Sequence, residues 1–101
     1  MTSAHDLPAF DAAEYLDSED AIAAYLEAVA EDDIALLPAA LGTVARARGM
    51  SALARDTGLA RESLYRALSQ DGNPTLSTLS KVLSAYGVHI VLTPARDRTN
   101  A

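Results

Sequence analysis

The sequence predicts a mainly α-helical fold, a small helical bundle that contains a helix-turn-helix and ends in one short C-terminal β-strand. Ala and Leu, two strong helix formers, supply 21 and 14 of the 101 residues. Apolar residues recur at helical spacing along most of the chain, and several of these stretches end at a glycine. Near the C-terminus the spacing changes and β-branched residues cluster, which is typical of a strand.

The composition divides the chain into three segments. Residues 1–16 form an acidic N-terminal segment that we expect to be partly mobile, residues 17–93 form the helical domain, and residues 94–101 form a polar tail. No apolar run approaches the roughly 20 residues that a membrane-spanning helix needs. The acidic start lacks the basic and apolar regions of a signal peptide, and the absence of cysteine fits a reducing compartment. We therefore expect a cytoplasmic protein that does not contact a membrane.

Two amphipathic helices open the domain. The first begins near Asp17 or Ser18, which are both good N-cap residues, and the second ends at Gly49. Proline is tolerated only near the first turn of a helix, so Pro38 places the start of the second regular helix close to Leu36. The apolar stripes that we expect to be buried are Ile22, Tyr25, Leu26, Val29 and Ala30 in the first helix, and Ile34, Leu37, Leu41, Val44 and Ala45 in the second.

The pattern of residues 51–69 is that of a helix-turn-helix. Ser51 is placed to cap a short helix over residues 52–57, which ends at Gly58, and a second short helix follows over residues 60–69. Glycine suits the turn because it adopts positive φ without strain.

The outer side of the second short helix carries polar groups suited to nucleic acid. When Leu64 and Leu68 point inward, the other side and its flanks present Arg61, Glu62, Ser63, Tyr65, Arg66 and Ser69. Arginine pairs with guanine, glutamate accepts from the cytosine amino group, and serine and tyrosine bind phosphate. The alternative for Glu62 and Arg66 is a surface ion pair at i, i+4 spacing, worth roughly a few tenths of a kcal/mol.

A further helix and a strand complete the domain. Thr75 caps this helix and Gly87 ends it, and its buried stripe is predicted to be Leu76, Leu79, Val82, Leu83 and Tyr86. Residues 88–93 read as one short strand. A lone strand needs another chain to pair with, so Val88, Ile90 and Leu92 are predicted to mediate homodimerisation or to contact a different partner.

Charge is distributed unevenly along the chain. The formal net charge is -6, yet residues 1–40 hold ten carboxylates and no Lys or Arg. Residues 41–101 hold four carboxylates and all eight basic residues, so the two parts carry about -10 and +4. This asymmetry suggests two different partners. A solvated acidic face on an ordinary helical domain is the alternative.

Three segments resemble the HigA-like family of addiction-module antidote proteins, the antitoxin half of bacterial type II toxin-antitoxin pairs. They are FDAAEYLDSEDAIAAYL (10–26), ALGTVARARGMSALARDTGLARESLYRALS (40–69) and GNPTLSTLSKVLSAYGVHIVL (72–92), of which the middle one is the most specific. The chain departs from the family at Ala60, where the recognition helix commonly opens with serine. Loss of that cap should cost about 1 kcal/mol locally.

The resemblance implies a bacterial antitoxin that neutralises a RelE/ParE-like toxin of the HigB type and, as a homodimer, binds its operator DNA and represses the operon. It puts the DNA contacts on Arg61, Glu62, Ser63, Tyr65 and Arg66, with Arg55 as a contact to the DNA backbone. A ribonuclease toxin is expected to be basic, so acidic residues of the antitoxin should attract it. The residues predicted for this role are Asp17, Glu19, Asp20, Glu27 and Glu31.

Two other classes of function are alternatives for this sequence. A free-standing transcriptional regulator of the phage-repressor type would use the same helix-turn-helix without a toxin. An enzyme is disfavoured, because His5, His89 and scattered carboxylates offer no plausible spacing for a nucleophile, a base and an orienting group. A carboxylate pair among the N-terminal acids stays open as a catalytic dyad, although exposed helix charges explain these residues better. We expect no catalytic residue, metal or cofactor.

Overall fold

Five α-helices follow one another in residues 16–95, the part of the chain that the computed structural model describes. They are α1 (Glu19–Asp32), α2 (Leu37–Arg48), α3 (Met50–Thr57), α4 (Arg61–Ala67) and α5 (Leu76–Ala85), and a 3-10 helix (Ile34–Leu36) joins α1 to α2. The mainly helical fold class is confirmed. The predictions made for residues 1–15 and 96–101 lie outside the described residues.

Helix α3 lies at the centre of the arrangement, since it contacts α2, α4 and α5. Helix α1 packs against α2 and against the 3-10 helix. One cluster of apolar side chains forms the core, and each of the five α-helices contributes to it. Its largest fully buried side chains are Leu16, Leu41, Leu53, Leu64, Leu68, Val44 and Val82. None of the helices within residues 16–95 is long and apolar enough to cross a lipid bilayer.

The helix starts follow the predicted capping chemistry in three places. Ser18 is the N-cap of α1, where its hydroxyl accepts a hydrogen bond of 3.1 Å from the backbone N–H of Ala21. Thr75 caps α5 in the same way, through the N–H of Thr78. Pro38 lies in the first turn of α2, where its missing N–H breaks no helical bond.

Three predictions about the helices are wrong. Ser51 caps nothing, because α3 begins one residue earlier, at Met50, which is buried. Ile34, the first residue of the stripe predicted for the second helix, is 65% exposed. Asp33 accepts from the N–H of Ala35 and starts a separate 3-10 turn, so Ile34 lies outside α2. Leu76 is 71% exposed, and Leu79 is the first apolar residue of α5 that packs against the core.

The strand predicted over residues 88–93 is also absent. Residues 88–95 form neither helix nor strand, and no other segment within residues 16–95 is a strand. Because strands are stabilised by backbone hydrogen bonds to a neighbouring strand, this apolar segment has no strand partner in the described chain. Val88 packs against the core instead, whereas Ile90 and Leu92 are 44% and 91% exposed.

Candidate nucleic-acid interface

The turn between α3 and α4 is held by two adjacent residues. Gly58 ends α3 in the left-handed conformation, with φ of 74°, and its N–H donates to the carbonyl of Ala54 at 2.9 Å. Thr57 donates its hydroxyl to the carbonyl of Leu53 at 2.8 Å and accepts from the N–H of Leu59 at 3.3 Å. Gly58 was predicted from the sequence and Thr57 was not. A threonine directly before a turn glycine is the signal that could have found it.

Helix α4 is anchored to the core by its inner side. Leu64 is fully buried, and Leu68, which follows the helix, is 1% exposed. The N–H of Leu64 donates to the carbonyl of Ala60 and the N–H of Leu68 donates to that of Leu64, at 3.0 and 2.9 Å. Ala60 is the N-cap of α4 and makes no side-chain cap, so the hydroxyl that the resembled family supplies there is missing. Packing rather than capping therefore positions α4.

Helix α2 approaches the end of α4 at Gly42. The glycine is buried, and a Cβ atom there would overlap the backbone carbonyl oxygen of Leu68. Any side chain larger than that of glycine would therefore force the backbone to move at this position. Gly42 did not stand out in the sequence, although glycine in the interior of an apolar helical stretch is a signal for close packing.

The outer face of α4 presents the predicted polar residues to solvent. Those that are exposed are Arg61, Glu62, Ser63, Tyr65 and Arg66. The guanidinium carbon of Arg61 lies 5.9 Å from the centre of the Tyr65 ring, within the range of a cation–π contact. Ser69 differs from the prediction, because it is half-buried and its hydroxyl donates to the carbonyl of Arg66 at 3.0 Å. We call the five exposed residues the α4 face.

Arginines on the neighbouring helices divide into two kinds. Arg55 is exposed in the last turn of α3, where a positive charge is favourable beside the helix C-terminus. Arg46 is exposed in the last turn of α2. Arg48, two residues further, donates from Nη1 to the carbonyl of Leu16 at 3.5 Å and so holds the chain ahead of α1. Within residues 16–95, Arg55 is thus exposed to solvent, whereas Arg48 contacts the backbone of Leu16.

The predicted acidic residues are all exposed and follow helix α1. Asp17 precedes it, Glu19 and Asp20 occupy its first turn, and Glu27 and Glu31 lie in its second half. The side chain of Glu19 lies beside Gly87, where a Cβ atom would come 3.0 Å from the carboxylate carbon. None of these five acids belongs to α3 or α4, so they lie on a different element from Arg55, Arg61 and Arg66, although Glu62 places one carboxylate on the α4 face.

Residues 16–95 contain no group of three or more His, Cys, Asp or Glu side chains arranged to hold a metal ion. The pKa of Tyr86 is raised to about 12, chiefly because the side chain is buried, and a phenol with that pKa stays protonated at neutral pH. What the described surface offers is a set of exposed polar and charged side chains suited to binding.

Comparison with known proteins assigns the family. A family model described as "Probable addiction module antidote protein" matches residues 6–94. A Haemophilus influenzae (strain Rd) relative, described as "Uncharacterized protein", is 50% identical over 88 residues, which cover 86% of this chain and 91% of the relative. No solved structure matches significantly. The chain therefore belongs to the family of probable addiction module antidote proteins.

Proposed function

We propose that this protein is a HigA-like antitoxin that binds and neutralises a RelE/ParE-like toxin of the HigB type and represses its own operon by binding operator DNA. Membership of the antidote family supports toxin binding, because an antidote has a toxin as its partner. The α4 face supports binding to operator DNA. It concentrates five exposed polar side chains on a helix whose opposite side is fixed in the core.

Helices α3 and α4 act in this proposal as a helix-turn-helix. Arg61 and Arg66 read base edges in the major groove, since arginine recognises guanine through two hydrogen bonds. Arg55, on the preceding helix, contacts the phosphate backbone and adds affinity without sequence preference. The short turn at Gly58 and the hydrogen bonds of the Thr57 hydroxyl hold α3 and α4 in one arrangement. A helix that reads base edges needs such a fixed position.

In this proposal the toxin approaches the acidic residues on and before α1. A protein that binds RNA is expected to carry positive charge around its active site, and exposed carboxylates would attract it toward this chain. The residues proposed for steering are Asp17, Glu19, Asp20, Glu27 and Glu31, all of them exposed. An association rate that does not depend on salt would contradict steering.

The protein binds DNA as a homodimer in this proposal. Of the predicted contact residues Val88, Ile90 and Leu92, the last is 91% exposed and is the most available to a second chain. Two α4 helices related by a two-fold axis would read two half-sites of a palindrome. Light scattering measures the oligomeric state, and a protein that stays monomeric both alone and on DNA would contradict this part.

The DNA-binding part is tested by mobility shift with DNA from upstream of this protein's own reading frame. We expect the wild type to bind, and we expect Arg61→Ala and Arg66→Ala each to weaken binding by about 1–3 kcal/mol and to relax base preference. Lys81→Ala is a matched control, because Lys81 is an exposed cation on α5 outside the α4 face.

Three outcomes decide between the functions. Loss of binding in the arginine variants but not in the control supports the α4 face as the reading surface. Equal affinity of wild type and the double variant removes α4 from that role. If the wild type binds this DNA but no neighbouring reading frame encodes a protein that binds the chain, the free-standing regulator is the better account.

A further inference from the structure

An apolar groove of about 400 Å³ lies along helix α1. Its lining includes Leu26 of α1, Ile34 of the 3-10 helix, and Ile90 and Val91 of the C-terminal segment. We call it the α1 groove. None of its described lining residues belongs to α3 or α4.

The walls of this groove are apolar but are not covered in the described chain. Ile34 is 65%, Ile90 44% and Val91 65% exposed, although each is large and hydrophobic. They come from positions far apart in the sequence, and the fold brings them to one surface. Contiguous exposed apolar side chains of this kind mark a protein interface more often than chance.

Charge indicates which partner fits. Among the described residues that line the groove, Glu27 is acidic, His89 is the single histidine, and none is Lys or Arg. Three exposed carboxylates directly precede Ile34 in the chain and add negative charge next to it: Glu31, Asp32 and Asp33. A second copy docked groove to groove would bring the same carboxylates together across a two-fold axis, which is unfavourable. A partner with apolar side chains flanked by basic ones is complementary.

We infer that the α1 groove is the docking site for the toxin, and that it receives an apolar segment of a basic protein whose Lys or Arg side chains pair with Glu27 and Glu31. The inference rests on the proposed antitoxin function and specifies where the toxin binds. It also divides the acidic residues. Glu27 and Glu31 make contacts in the complex, whereas Asp17 and Asp20, near the start of α1, act only at long range.

Binding kinetics test this with the full chain and the purified product of the adjacent reading frame. The double variant Ile34→Gln/Val91→Gln and the single variant Glu27→Lys should each weaken binding about tenfold or more, mainly through faster dissociation. The matched controls are Leu76→Gln, an equally exposed apolar residue on α5, and Asp71→Lys, an exposed carboxylate after α4. Both controls should bind like the wild type.

The steering residues give a separate kinetic signature. Asp20→Lys should slow association at low salt and leave dissociation unchanged, because a long-range charge acts before contact is made. All substituted positions are exposed, and circular dichroism checks that each variant keeps its helices. If Asp20→Lys speeds dissociation as much as Glu27→Lys does, the division of the acidic residues is wrong.

Different experimental results would contradict the docking site and the proposed function. If the wild type does not bind the neighbouring product, the antitoxin function itself is overturned. If the wild type binds and the groove variants bind equally well, only the docking site is overturned. If the groove variants keep toxin affinity but lose a dimer in light scattering, the groove belongs to a second copy and the inference is again wrong.

Discussion

At the scale of single residues, Tyr86 has a buried hydroxyl without a hydrogen-bond partner, the one such side-chain atom found within residues 16–95. Its ring belongs to the core cluster. Burial raises the pKa of Tyr86 from 10.0 to about 12, with Arg48 opposing the increase and Asp56 adding to it. A hydroxyl that loses its hydrogen bonds to water without replacing them destabilises the folded state.

Tyr86→Phe should therefore be neutral or stabilise the protein by about 1 kcal/mol at pH 7, because it keeps the ring and removes only the unpaired hydroxyl. Chemical denaturation followed by circular dichroism measures the change. A loss of more than about 1 kcal/mol would mean that the hydroxyl has a favourable interaction in solution.

The same residue predicts a dependence on alkaline pH. Above pH 10 the unfolded chain releases the Tyr86 proton, whereas the folded chain keeps it until about pH 12. The unfolded state then binds fewer protons, so the free energy of unfolding falls as pH rises through this window, by about 2–3 kcal/mol in total. Tyr86→Phe should lose less stability between pH 10 and pH 12 than the wild type. Equal losses would contradict the raised pKa.

At the scale of helices, the contact between α2 and the end of α4 determines how α4 is held. Gly42→Ala would push a methyl group into the carbonyl of Leu68, which belongs to the backbone and cannot rotate away. We expect a loss of about 1–3 kcal/mol in stability and weaker DNA binding through displacement of α4. Ala47→Gly, at a half-buried position of the same helix, is the control for helix propensity. Unchanged stability of Gly42→Ala would show that the two helices separate easily.

Several helix ends were predictable from the sequence, although the cap at Ser51 was not among them, and the burial of individual side chains was less predictable. Ser18, Gly58 and Thr75 act through neighbours a few residues away, so their roles follow from local chemistry. The exposure of Ile34 depends on where the 3-10 turn directs it, and helical spacing alone cannot show that. The prediction of a strand was wrong for a related reason. Residues 88–93 resemble a strand in composition but have no strand to pair with in the described chain.

At the scale of the whole molecule, most of the acidic and most of the basic residues of the described chain lie on different helices. Seven carboxylates lie on α1 or directly beside it, whereas the exposed arginines lie at the C-terminal ends of α2 and α3 and on α4, together with Asp56 and Glu62. The sequence predicted this separation, because the two charge types occupy different halves of the chain. It did not predict the α1 groove, because Ile34 and Ile90 meet only in the folded structure. These are the two surfaces to which the proposed function assigns a basic protein and DNA.

The central claim is that this chain is an antitoxin, and growth of bacteria tests it most directly. The product of the adjacent reading frame is induced alone or together with this protein, and colony-forming units are counted over time. We predict that the neighbouring product alone stops growth and that co-expression of this chain restores it, with Arg61→Ala/Arg66→Ala rescuing as well as the wild type. A neighbouring product that is harmless alone, or toxicity that persists when both proteins are made, would contradict the claim.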